Sequence, residues 1–312
     1  MLYTGEELLN QLAGASMQED SAASSHWQEQ HRNFSYTEGS FSGLQGFGGC
    51  HIPYHGMRHL AHRAFQRPYR NIGNRFKDFA SLDLSAAGIA ASQSRAYDLD
   101  FIRQSLTLAF LKEHLAGFGE KPAECCVIGD GFASMASLLL DSGLASRVVL
   151  VNLTKTLLVD CWYLRLWQGK DRFDEEVALV TDTKSIAKAR DRQVVAIEAR
   201  NHELLQQLNI DLVLNIVSMG EMDPGVVTDY FTDIRKIACR KDIFFYCCNR
   251  IEKTLPDNTV VRFEDYPWNE QDDILVDELC PWHQKYYSLK WPFYHQYDGP
   301  IKHRLARMAC GG

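Results

Sequence analysis

The chain lacks several things that would each announce a function. It has no Cys-x-x-Cys pair and no His-Glu-x-x-His. Neither a zinc ribbon, nor a thioredoxin-like redox pair, nor a helical metalloprotease motif is therefore indicated. No apolar run approaches the roughly 20 residues that span a bilayer, so no membrane span is expected. The opening "MLYTGEELLNQ" has neither the basic nor the apolar segment of a secretory signal. Nine cysteines, with two adjacent pairs (Cys125-Cys126 and Cys247-Cys248) inside apolar runs, read as reduced and mostly buried thiols of a cytoplasmic protein. A formal net charge of −7 argues against general nucleic-acid binding.

Charge of one sign is also missing locally. Between Glu38 and Asp78 there is no carboxylate, while Arg58, Arg63, Arg67, Arg70, Arg75, Lys77 and four histidines occur there. Glycine, tyrosine and phenylalanine interleave these charges, which suits an anionic group in a partly closed site. Conversely, Glu264 to Glu278 holds seven carboxylates and no Lys or Arg, the pattern of a solvated face. Residues 39–49 carry five glycines and two phenylalanines, a loop that can serve as a lid or as a linker.

What is present is an alternation. Residues 56–70 and 98–117 read as helices, the second with Leu99, Ile102, Leu106, Phe110 and Leu111 at helical spacing and Asp98 as its cap. From 123 onward, apolar strand-like runs begin near 125, 147, 177, 194, 211 and 243, with helical stretches at 132–142, 154–168 and 224–240 among those between them. This predicts an α/β doubly wound, largely parallel sheet, with its ligand crevice at the carboxyl ends of the strands. After 249 the alternation lapses. Residues 286–297 are aromatic and strand-like.

The candidate chemistry sits at strand ends. "CCVIGDGFASMASLLL" is a strand, a Gly129-Asp130-Gly131 turn and a helix start, the arrangement that turns backbone N–H groups toward a ligand. It is not a full dinucleotide fingerprint, since Ala133 and Ser134 follow instead of further glycines. Asn152 ends the second strand, where a side chain can hold a ribose diol; a place beside the helix start at Thr154 is the alternative. Asp223 before Pro224 reads as a helix cap. Glu221 has no such structural duty and is a candidate base or substrate ligand. His55, His59 and His62 recur at helical spacing, and His51 or His55 is a further candidate base. No carboxylate between Glu38 and Asp78 completes a metal site there, and no metal is expected. Arg250 suits a bidentate hold on an anion or a diol.

Four stretches, "VIGDGFASMASLLL", "VVLVNLTKTLLVDCWYL", "NIVSMGEM" and "FFYCCNR", resemble in order and spacing a family of sugar O-methyltransferases within the class I S-adenosylmethionine-dependent methyltransferases. The resemblance covers roughly residues 95–250 and, more weakly, "YDGPIKHRLARM". It matches at Asn215, Ser218, Glu221, Met222 and Asn249-Arg250, and departs at Val127, Ala133, Asn152 and Thr154. It implies a Rossmann-like methyltransferase sheet over 121–312 with an acidic irregular insertion at 251–285, preceded by a mostly helical cap or lid region over 1–120.

It further implies S-adenosylmethionine as cofactor. The methionine tail would lie at Gly129, Asp130 and Gly131, the ribose at Asn152 and Leu153, and the adenine near Arg200 and Asn201, with Asn215 and Ser218 beside them. The acceptor would be a small molecule or glycan, with Glu221, His55 and His51 in catalytic roles and Arg250, Asn249 and Arg58 binding it. A catalytically inactive protein of the same fold that binds a protein partner is the second reading, and a homo-oligomer is left open. A nicotinamide oxidoreductase is disfavoured by the short glycine turn and by the missing acid at 152.

Overall fold

A computed structural model describes residues 1–37, 39–44, 46–118 and 122–311. Nine strands form its central sheet: β1 Leu2–Thr4, β2 Glu124–Ile128, β3 Arg147–Asn152, β4 Val177–Val180, β5 Val194–Glu198, β6 Leu212–Ile216, β7 Phe244–Arg250, β8 Asp273–Leu279 and β9 Ile301–Arg307. Their spatial order is β1-β4-β5-β3-β2-β6-β7-β9-β8. The six strands from β4 to β7 run parallel. β1 and β9 are antiparallel to their neighbours β4 and β7, and β8 is antiparallel to β9.

The parallel strands carry apolar runs that point to both faces, with their polar residues, such as Glu124, Asn152, Glu198 and Asn249, at or near strand ends, because both faces are covered. Successive residues then point to opposite cores. Cys125 and Val127 of β2 face helices α1 (Gly5–Ser16), α2 (Phe79–Ser92), α3 (Leu99–Leu115), α4 (Ser134–Asp141) and α5 (Thr154–Gln168). Cys126 and Ile128 face α6 (Pro224–Ala238) and the 263–268 segment. The result is a Rossmann-like three-layer α/β fold. From β2 the chain winds outward to β3 and β4, then returns to place β6 on the other side of β2. That reversal leaves a crevice at the carboxyl ends of β2, β3 and β6.

Asp98 caps α3 as expected, accepting from the Asp100 and Phe101 amides. Asp223 starts α6, but its carboxylate makes no capping bond. The boundary expected at 120/121 lies outside the described residues. On either side of it the chain shares one sheet and one core: β1 pairs with β4, and Leu8, Leu106 and Val127 belong to the same cluster.

Two expectations are corrected. The stretch 251–285 is not irregular. It holds a hairpin, Glu252–Thr254 with Val260–Arg262, and then β8 of the main sheet. The carboxylates of β8 face cations of β9, with Asp277 2.9 Å from both Arg304 and Lys302 and Asp273 3.2 Å from Arg307. Opposite charges across a strand pair stabilise an edge that apolar periodicity would not reveal. Nor are all the thiols reduced, since Cys239 at the end of α6 is bonded to Cys310 in the closing segment.

Candidate functional site

The crevice is built on strain and close contact. Gly129, Gly131, Phe132 and Ala133 all have positive φ, as does Val217 after β6. For Phe132, Ala133 and the β-branched Val217 this is the disfavoured left-handed region, and such residues concentrate where a loop must aim at something. A Cβ on Gly129 would lie 2.2 Å from Ser218 Oγ, and one on Gly131 would lie 2.2 Å from the Phe47 carbonyl. Both glycines are thus required by the protein's own packing, before any ligand is considered. Asp130 accepts from the Met135 and Ala136 amides at the start of α4. Burial raises its carboxyl to about 6 against those bonds.

The loop after β6 is clipped onto this turn by buried amides. Asn215 Nδ2 donates to the Ile128 carbonyl and to Ser218 Oγ, while its Oδ1 accepts from the Met219 amide and from Asn249 Nδ2. Asn249 Oδ1 accepts from the Gly220 amide. Asn215 and Asn249 are fully buried. They hold the loop that carries Ser218 and Glu221, and Asn249 is not positioned to touch an acceptor.

Asn152 Nδ2 donates to Asp160 Oδ2 at 2.9 Å, and its Oδ1 accepts from the Leu153 amide. An aspartate at 152 would put a second carboxylate against Asp160, which the amide avoids. Burial and Asp130 already push the Asp160 carboxyl well above the usual range. Carboxylates nonetheless reach the end of β3 from elsewhere. Asp20 of the N-terminal segment accepts from the Thr154 amide, and buried Glu198 accepts from Thr154 Oγ1. Arg200 clamps Glu198 with two 2.8 Å contacts.

A cavity runs along this wall. It is lined by Gly129, Asp130, Gly131, Asn152, Leu153, Ala199, Ser218 and Glu221. Arg200 and Asn201 do not line it; their neighbour Ala199 does. His51, His55 and Arg58 are exposed and line neither this cavity nor the one beside it. They sit just before or early in the 56–65 helix, and its buried histidine is instead His62, stacked on Tyr54 and bonded to Tyr287. Arg250 is half-buried and lines neither cavity. Glu221 is at the rim, with Oε1 2.6 Å from Lys253 Nζ and 3.6 Å from His26 Nε2. Burial lowers the His26 pKa, so its imidazole is neutral at pH 7.

The opposite wall comes from residues that sequence reasoning did not single out. Phe47 packs in a ring cluster with Trp27, His31 and Phe132 and brings the glycine loop over the Gly131 turn. Arg95 is buried, donates to Ser134 Oγ and Gln93 Oε1, and lies 4.0 Å over the Phe132 ring. Beside it, Asp98 accepts from the Cys50 amide and Asp100 from the Gly49 amide. Burial first, and then Asp100, raises the Asp98 carboxyl to about 6, opposed by Arg95. Arg103 bonds Tyr297, Asp100 and the Trp282 carbonyl. The signal for Arg103 was present in the sequence, a charge among Leu99, Ile102 and Leu106 on the apolar face of its helix.

A second, more open cavity adjoins the first, sharing Asp100, Arg103 and Tyr297, and is faced by Tyr54, Tyr286 and Tyr287.

No family model matches the chain, and no curated protein matches its sequence. Among solved structures, the chain is similar in outline to M. capricolum TrmK in complex with S-adenosyl-homocysteine, at 12% identity and a TM-score of 0.35 over 64% of this chain and 67% of that one. It is similar also to the N-methyltransferase NodS from Bradyrhizobium japonicum with S-adenosyl-L-homocysteine, at 10% identity and a TM-score of 0.39 over 67% and 87%. A third is the methyltransferase domain of bacterial CtHen1, at 11% identity and a TM-score of 0.38 over 68% and 100%. At such distances these likenesses carry nothing about cofactor or acceptor.

Proposed function

We propose that the chain is an S-adenosylmethionine-dependent methyltransferase acting on a hydroxyl of a small polar acceptor, of which a sugar or glycan fits best. The observation that carries this reading is the crevice at the switch point, with the Gly129–Gly131 turn, the end of β3 and Ala199 along one wall and Glu221 at its rim. The cofactor supplies an activated methyl group. Gly129 to Gly131 would hold its methionine portion, Asn152 and Leu153 its ribose, and Ala199 would face its adenine.

The adjoining tyrosine-lined cavity supports the sugar. Aromatic faces cover the apolar side of a pyranose, while Asp100 and Arg103 are suited to its hydroxyls. Methyl transfer needs alignment, exclusion of water and removal of one proton. Glu221 is the group at the rim suited to take that proton, with the Lys253 ammonium 2.6 Å away orienting its carboxylate.

The test is methyl transfer from radiolabelled S-adenosylmethionine to a panel of free, phosphorylated and nucleotide-linked sugars and of small primary amines. Glu221→Gln is expected to leave cofactor affinity within about twofold and to lower kcat by about 100-fold, the usual scale of general-base loss. Full activity of that variant on an acceptor that the parent methylates would remove Glu221 from its role. Labelling of amine acceptors alone would overturn the hydroxyl assignment.

A further inference from the structure

Behind the crevice, three side chains that the methyl-transfer reading leaves unused converge in the core. Cys248 is on β7, Cys280 directly follows β8, and His283 closes the turn after it, its amide donating to the Cys280 carbonyl. The two thiols are fully buried and His283 is 3% exposed. His283 Nδ1 lies 3.2 Å from Cys280 Sγ and 3.8 Å from Cys248 Sγ, and the three ligand atoms fall within 4.8 Å of one another. A tetrahedral zinc with Zn–S near 2.3 Å and Zn–N near 2.05 Å sets sulfur and nitrogen about 3.6 Å apart. The two observed separations bracket that value. Thiolate and imidazole are the donors that select Zn²⁺ among the abundant divalent cations. Two thiolates and a neutral imidazole also cancel its charge, which a buried dication requires.

No fourth Cys, His, Asp or Glu joins this group among the described residues. A structural zinc site has four protein ligands, whereas three leave an open position. His283 is the member of the trio that also lines the crevice. We propose that Cys248, Cys280 and His283 bind one Zn²⁺ behind the crevice wall, with the fourth position held by water or by a donor atom of a crevice ligand. Such a metal lowers the pKa of a bound water or hydroxyl. Its use in methyl transfer rests on the reading above, but its presence does not.

The full-length chain, loaded with Zn²⁺ under reducing conditions and dialysed against metal-free buffer, is expected to retain about one zinc by elemental mass spectrometry. Co²⁺ in its place should give a sulfur-to-cobalt charge-transfer band. Cys280→Ser and His283→Ala should lose at least tenfold in metal retention while keeping the circular dichroism of the parent. Should a variant fail to fold, the cobalt spectrum of the parent still decides the matter. A parent chain that retains no zinc, a cobalt spectrum without thiolate bands, or a Cys248–Cys280 disulfide in reduced preparations would each overturn the site. None of these readouts involves a methyl donor, so failure here and failure of the methyltransferase reading are distinguishable.

Discussion

Gly129→Ala is expected to abolish measurable S-adenosylhomocysteine binding and to destabilise the fold by about 3 kcal/mol, the sum of a left-handed alanine and an overpacked contact. The new methyl would meet Ser218 Oγ and Cβ at 2.2 and 2.6 Å, at a residue whose φ is +75°. Ser218 cannot retreat freely, because its hydroxyl is bonded to Asn215 and to the Ile128 carbonyl. The two parts of the cost separate in a cycle. Ser218→Gly in the Gly129→Ala background removes the clash and leaves the backbone strain, so the double variant should be more stable than additivity of the single changes allows. Thermal melts and calorimetry on the four proteins check this. A Gly129→Ala chain that melts and binds like the parent would show that the turn is not packed as described.

The second large effect is at Arg95. It is buried among Phe101, Phe132 and Tyr163, and it is the cation opposing the burial of Asp98, Asp130 and Asp160. Arg95→Met keeps much of the volume and removes the charge. Stripping a buried carboxylate of its cation costs about 3–5 kcal/mol. The urea midpoint should fall accordingly and cofactor binding should weaken with it. Arg95→Lys should not restore the parent, because an ammonium cannot both lie flat on Phe132 and donate to Ser134 and Gln93. A Lys variant with the parent's midpoint would mean that charge alone matters there.

The sheet was legible because parallel strands buried on both faces read as apolar runs, and residues 125–128, 148–151, 177–180, 194–197, 212–214 and 244–248 are such runs. β8 was not, since its carboxylates are matched by cations of β9 across the pairing, a long-range compensation that no local pattern carries. The Cys239–Cys310 bridge spans 71 residues, and such spacing says nothing about pairing. At the site, Gly129, Gly131, Asn152, Leu153, Ser218 and Glu221 were legible as residues at strand ends, and they share one cavity wall. His55 was read with His59 and His62 from helical spacing, which fixes a face but not which neighbour covers it, and His51 from its place in the same carboxylate-free stretch. Phe47, Arg95 and Arg103 arrive at the crevice from segments before the first parallel strand, and only the tertiary fold brings them there. Asn249 and Asn215 were read as ligand contacts, and buried amides at strand ends serve equally to pin loops.

The central claim is that the switch-point crevice takes a methyl donor. Isothermal titration of the full-length chain with S-adenosylmethionine, S-adenosylhomocysteine and NAD tests it most directly. Micromolar binding of the first two, one per chain, lost in Gly129→Ala, with no heat from NAD, is the predicted result. Binding of NAD, or of none of the three by a chain that melts cooperatively, would contradict it.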